Sequence, residues 1–191
     1  RYADAGRSSD FARDLVTGTL PLQWAPTRMI SDDPAKALGR ADPEGLFFRQ
    51  IVAVMGEPGS EVDLVSPYFV PTETGVNDFA AMRKRGVNVR ILTNALEATD
   101  VAAVHAGYAK RRKPLLEAGV VLYEMRRTAV GLSERPGSFG GSSGTSLHAK
   151  TFAVDRTQVF IGSFNFDPRS AQLNTELGFV IRSPELAQAI A

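Results

Sequence analysis

Apolar and polar positions along the 191-residue chain follow two periods. Some stretches alternate or run apolar over five or six residues, as strands do; others repeat at three and four, as helices do. Glu61–Ser66, Val87–Leu92 and Val120–Glu124 read as strands, the first as a buried one. A helix is expected from about Glu73 to Arg85, stopped by Gly86, and another from Thr99 to about Ala118, closed by Gly119. Pro114 should break or kink the second. This β-α-β-α-β rhythm predicts parallel strands joined by right-handed crossovers.

The flanks complete the pattern. Residues 1–20 read as an irregular lead-in or a short helix, and Leu22–Ile30 as a strand that includes Trp24. Asp32-Asp33-Pro34 is a turn, and Asp42-Pro43-Glu44 looks like an N-cap followed by a proline opening a helix that runs to about Met55. Leu147–Val154 and Gln158–Ile161 read as two strands of a hairpin about Asp155-Arg156-Thr157. Leu177–Ile181 is a further strand, and Ser183-Pro184-Glu185 starts a helix. Residues 131–145 hold Pro136 and five glycines, and read as a flexible loop placed to act as a lid. The fold class is α/β: a sandwich with a mixed sheet flanked by helices, one domain over 21–191.

Composition narrows the class. Hydrophobic content of 43% with 23% charged residues fits a soluble globular domain rather than a disordered chain. No stretch approaches the ~18 apolar residues of a transmembrane helix. With no cysteine, disulfide and thiol chemistry are excluded. The net charge of +1 hides an asymmetry. Residues 1–66 carry seven Lys/Arg against ten Asp/Glu, net −3; residues 83–127 carry ten against four, net +6. Such a basic region suits anionic lipid headgroups or nucleic acid, or is simply a solvated surface with cations at helix C-termini.

Candidate chemistry concentrates in one run: His148-Ala-Lys150, then Asp155, then Gly162-Ser163-Phe164-Asn165. On a strand, alternation sets His148 and Lys150 on one face, an imidazole beside an ammonium. A returning strand would carry Ser163 and Asn165 back to the His148 end. A neutral imidazole can attack phosphorus, and an imidazolium can protonate a leaving alkoxide. Lys150, the Asn165 amide and the Ser163 hydroxyl are donors suited to a phosphoryl group's equatorial oxygens. Glu176, opening the next apolar strand, is a candidate acceptor for the second ring nitrogen of His148. Asp155 reads as a turn or ion-pair residue, and Gly162 as the end of its strand. With two histidines in the chain, no metal cage is plausible and no cofactor is implied. His105, in a helical stretch among alanines, reads as packing or as a substrate contact. Tyr68, Phe69 and Phe164 are expected in the core rather than stacked on a headgroup.

The spacing H-x-K-x4-D-x6-G-S-x-N resembles the HKD signature of the phospholipase D superfamily. Ser66-Pro67-Tyr68-Phe69-Val70-Pro71, Leu92-Thr93-Asn94, the run from Ala98 to Tyr108, and Asp167-Pro168-Arg169-Ser170 are similar to bacterial cardiolipin synthases of the C type. The resemblance implies two HKD halves meeting at one active site, one histidine becoming a phosphohistidine and the other serving as acid and base. It implies transfer of a phosphatidyl unit to phosphatidylglycerol, a glutamate at the Glu176 position bonded to the motif histidine, and a mainly structural aspartate at the Asp155 position. This sequence carries a single motif, so the resemblance implies the C-terminal half of a longer enzyme. Expected partners are a phospholipid such as phosphatidylglycerol, an N-terminal half or a second copy, and a membrane surface, with nucleic acid less favoured. The expected location is cytoplasmic or peripheral at the bacterial inner membrane. Two alternatives stand beside this reading: a dimeric one-motif phosphodiesterase or nuclease, and a non-catalytic half-domain that binds an anion or a partner.

Overall fold

The computed structural model describes residues 9–126 and 146–191. The 131–145 loop, with its expected role as a lid, lies outside the described residues. Among the described residues seven strands form one sheet in the order β1-β7-β6-β5-β2-β3-β4. They are β1 (Thr27–Ser31), β2 (Glu61–Val65), β3 (Asn88–Asn94), β4 (Val121–Met125), β5 (Thr151–Val154), β6 (Gln158–Gly162) and β7 (Leu177–Arg182). β2, β3 and β4 run parallel, and β5, β6, β7 and β1 add antiparallel neighbours. The expected mixed α/β sheet is therefore observed.

The helices of the described residues are α1 (Asp10–Thr17), α2 (Phe47–Met55), α3 (Glu73–Lys84), α4 (Ala102–Glu117), α5 (Pro168–Gln172) and α6 (Pro184–Ile190). Helix α3 and helix α4 connect the parallel strands. Thr72 caps α3, its hydroxyl accepting from the Gly75 amide, and Arg83 and Lys84 occupy the last turn, where positive charge is favoured. Phe47, Phe69, Ile91, Tyr108, Leu115 and Phe160 are fully buried and form the core. Phe160 stacks on Phe152 with ring centroids 4.7 Å apart.

Several local expectations change. Strand β1 begins at Thr27, and Trp24 is 91% exposed. As an edge strand β1 has only β7 to pair with, so it spans only the residues opposite β7, from Thr27 against Ile181 to Ser31 against Leu177. The lead-in takes the short-helix form of the two expected, α1, ended by Gly18 in the left-handed region. Proline 114 sits inside α4 without ending it, and its carbonyl still accepts from the Ala118 amide at 3.0 Å. The stretch after Asp33 winds into a 3-10 turn, Pro34–Leu38, and another 3-10 turn precedes α2.

The strand expected over Leu147–Val154 is regular only from Thr151. Its neighbour β2 ends at Val65, opposite Thr151. Pro67, two residues on, has no N–H to offer a ladder. The chain then turns aside, with Phe69 bridged to Phe166. Residues 147–150 are thereby left without a backbone partner on the β2 side.

Candidate active site

The C-terminal ends of β2, β3 and β6 and the N-terminal ends of β5 and β7 meet along one edge of the sheet. His148 and Lys150 approach this edge just ahead of β5. The Lys150 Nζ lies 3.4 Å from His148 Nε2 and 3.1 Å from the His148 carbonyl oxygen. The same-face juxtaposition expected from alternation is thus present. Partial burial lowers the Lys150 pKa, opposed by the charges of Glu176 and Asp167. His148 is exposed and Lys150 half-buried.

Ser163 follows β6 directly, and the Gly162 amide donates to the Lys150 carbonyl at 3.2 Å, which locks the two segments side by side. The Ser163 hydroxyl donates to the Glu176 carboxylate and accepts from the Leu177 amide at 3.0 Å. Its proton is therefore engaged with Glu176. Among the described residues no hydrogen bond links Glu176 to His148; the recorded side-chain partner of Glu176 is Ser163. Asn165 has its amide on the Ser170 hydroxyl at 3.2 Å, while its side-chain Oδ1 is buried without a partner.

Asp155 stands just past the far end of β5, in the hairpin turn, at the opposite end of the strand from His148. Its carboxylate accepts from the Gly59, Ser60 and Glu61 amides and the Ser60 hydroxyl, at 2.7–3.0 Å. Burial pushes its pKa up, but these hydrogen bonds outweigh it and the net shift is downward. Asp155 and Arg156 both have positive φ in the hairpin turn, 51° and 52°. Gly162 has a packing reason: an added Cβ would lie 2.6 Å from the Leu177 carbonyl oxygen and 2.6 Å from the Phe160 ring.

Some site residues carried no sequence signal. Asp32 and Lys36 form an ion pair at 2.6 Å with side chains almost fully buried. Asp32 also accepts from the Glu176 amide at 3.0 Å and the Phe47 amide at 2.8 Å, and Lys36 donates to the Ser170 carbonyl at 2.8 Å. The pair thus joins the segments carrying Glu176 and Asn165. Tyr68, expected in the core, is half-buried with its hydroxyl on Asp100 at 2.7 Å. Burial, that hydrogen bond and the charges of Asp100 and Asp167 push its pKa up to about 12. The Asp167 charge acts on both Tyr68 and Lys150, so all three share one neighbourhood. Phe69 and Phe164 are buried as expected. His105 is half-buried, packs edge-on to Tyr108 with centroids 5.6 Å apart, and has its Nδ1 buried and unpartnered.

Part of the basic region is tied down. Arg90 pairs with Asp63, Arg112 with Glu124 at 2.7 Å, and Arg83 donates to the Val87 carbonyl at 2.7 Å. No helix among the described residues is long and apolar enough to cross a membrane.

A mixed sheet presenting a histidine–lysine pair at one edge, with a Gly-Ser-x-Asn run beside it, defines the phospholipase D class of fold. The chain belongs to the family described as "Cardiolipin synthase, PLD-like domain", whose model matches residues 51–191. It is 53% identical over its whole length to cardiolipin synthase C of Escherichia coli K12, and spans 40% of that protein. Among solved structures it is similar to Nuc, a phospholipase D family member from Salmonella typhimurium, with a TM-score of 0.55 and 21% identity over 87% of this chain and 89% of that one. A phosphatidylserine synthase from Haemophilus influenzae gives 0.57 and 18% identity over 85% of this chain and 36% of that one. These structural likenesses establish the fold.

Proposed function

We propose that this chain supplies one histidine half of a phosphatidyl-transferring active site, and that the reaction is cardiolipin formation from phosphatidylglycerol. The observation that carries the reading is the His148–Lys150 pair, 3.4 Å apart, with His148 exposed and Lys150 half-buried. The 53% identity to cardiolipin synthase C supports the lipid substrate.

In this reading a first histidine, outside this chain or in a second copy, attacks the phosphorus of one phosphatidylglycerol. The P–O bond to the headgroup glycerol breaks, and His148 as imidazolium gives that alkoxide its proton. The resulting phosphatidyl-histidine is attacked by the hydroxyl of a second phosphatidylglycerol, whose proton returns to His148. One glycerol leaves and one cardiolipin forms. Lys150 stabilises the negative charge on the non-bridging oxygens through both steps. Glu176, with the Ser163 hydroxyl on its carboxylate, adds negative charge that favours the protonated form of Lys150. One histidine must be neutral while the other is protonated, so the rate should be bell-shaped in pH.

The test supplies this chain, assembled with its histidine partner, with phosphatidylglycerol vesicles and separately with DNA over a salt series. Cardiolipin and glycerol should appear, and both should vanish in His148→Ala. Cleavage of DNA with a steep salt dependence, and no lipid product, would replace this reading with the nuclease one.

A further inference from the structure

We infer that Asn94 is a positioning residue for His148: its side-chain amide stands in for a missing strand partner and fixes the backbone one residue before the histidine. The inference rests on the proposed role of His148 for its catalytic consequence, but its geometry is independent of that role.

The need arises from the topology. The β2–β5 ladder runs from Val62 opposite Val154 to Val65 opposite Thr151. Continued in register, it would set Phe69 opposite Leu147. Instead the Ser66 amide bonds to the Leu92 carbonyl at 3.0 Å, Pro67 offers no N–H, and Phe69 is bridged to Phe166. The Leu147 N–H and C=O lose that partner just where the chain delivers His148. A partly buried peptide group in that position needs other partners.

Asn94 supplies them. It is the last residue of β3 and only 3% exposed. Its Oδ1 accepts from the Leu147 amide at 3.0 Å, and its Nδ2 donates to the Leu147 carbonyl at 3.1 Å. One planar carboxamide thus makes the paired donor and acceptor contacts that a strand residue would make. It reaches across the gap left by β2, with its Nδ2 also 3.5 Å from the Pro67 carbonyl. Few side chains can do this: the group must carry both a donor and an acceptor in one plane, and it must be short. Aspartate keeps the acceptor and sets a second acceptor against the Leu147 carbonyl. Glutamine is one methylene too long for the gap.

The experiment reads geometry and turnover separately. In the unmodified chain, the Leu147 amide should exchange with deuterium at least tenfold more slowly than the amide of exposed Ala149, although neither residue lies in a strand. Fast exchange at Leu147 would overturn the inference without any variant. In Asn94→Ala, Leu147 protection should vanish and the ring signals of His148 should shift, while those of His105, the other histidine, stay in place. Asn94→Asp, closer in shape, should lose protection in part and guards against a variant that fails to fold. With the chain assembled into a working site, kcat should fall on the order of tenfold to a hundredfold, as for a reacting group misplaced by ~1 Å, with KM within about twofold. Unchanged His148 signals and unchanged kcat in a folded Asn94→Ala would overturn it. If the unmodified assembly makes no cardiolipin, the proposed reaction fails while the exchange and ring-signal results still decide the role of Asn94 at His148.

Discussion

Lys36 donates to Asp32 across 2.6 Å in the protein interior, and between them the two side chains bind Glu176, Ser170 and Phe47 through backbone groups. This buried pair holds together the two segments that flank the site after β6. Removing one partner strands the other charge in the core, which typically costs about 3–5 kcal/mol. Lys36→Met should lower stability by about that amount, read from urea denaturation. An effect below about 1 kcal/mol would mean that the pair is not the hub described here.

Lys150 should be a functional group held against stability. Burial depresses its pKa, so between the depressed value and the unfolded value of about 10.4 the unfolded chain binds more protons than the folded one. Stability linked to Lys150 is therefore reduced below that window and recovered as pH rises through it. Relative to Lys150→Met, the unmodified protein should gain stability as pH rises toward about 10.4 in paired urea titrations. The reverse trend would contradict the assigned direction.

Asp155 should behave as a clamp. Its depressed pKa contributes stability that is present above the unfolded value of about 3.9 and lost as pH falls through the folded value. Asp155→Ala removes a charged acceptor of four hydrogen bonds and should cost about 2 kcal/mol, with that cost fading in acid. At temperatures where the variant stays folded, ligand binding at His148 should be unaltered. Loss of binding in a folded Asp155→Ala would give this residue a direct role.

Gly162→Ala drives a Cβ into the Leu177 carbonyl and the Phe160 ring, at 2.6 Å from each. A destabilisation of about 1–3 kcal/mol is expected from such overpacking. A neutral result in thermal melts would show that the β6–β7 spacing relaxes at little cost.

Local chemistry was legible in the sequence wherever neighbours in the chain are neighbours in space. The β2, β3 and β4 strands, the α3 helix with its Gly86 stop, and the His148–Lys150 pairing all follow from alternation, periodicity and capping. What escaped was set by distant partners. Lys36 looks like an ordinary surface lysine until the Ser170 carbonyl, 134 residues away, accepts its hydrogen bond. The strand before Thr151 reads as continuous because the termination that shortens it lies at Pro67. Tyr68 has the composition of a core residue, and its hydroxyl finds Asp100 only through the fold. Glu176 was expected at His148 because a catalytic imidazole needs an acceptor; its recorded side-chain partner is instead the Ser163 hydroxyl, which the β6–β7 register carries to it.

The claim at the centre of the account is that His148 and Lys150 together hold a phosphodiester. The most direct measurement follows the ring signals of the chain's two histidines while a soluble, non-reactive phosphodiester analogue is added. The account predicts a saturable shift of His148 with His105 unmoved, and loss of that shift in Lys150→Met. A His148 signal that stays constant, or that shifts equally well without Lys150, would contradict it.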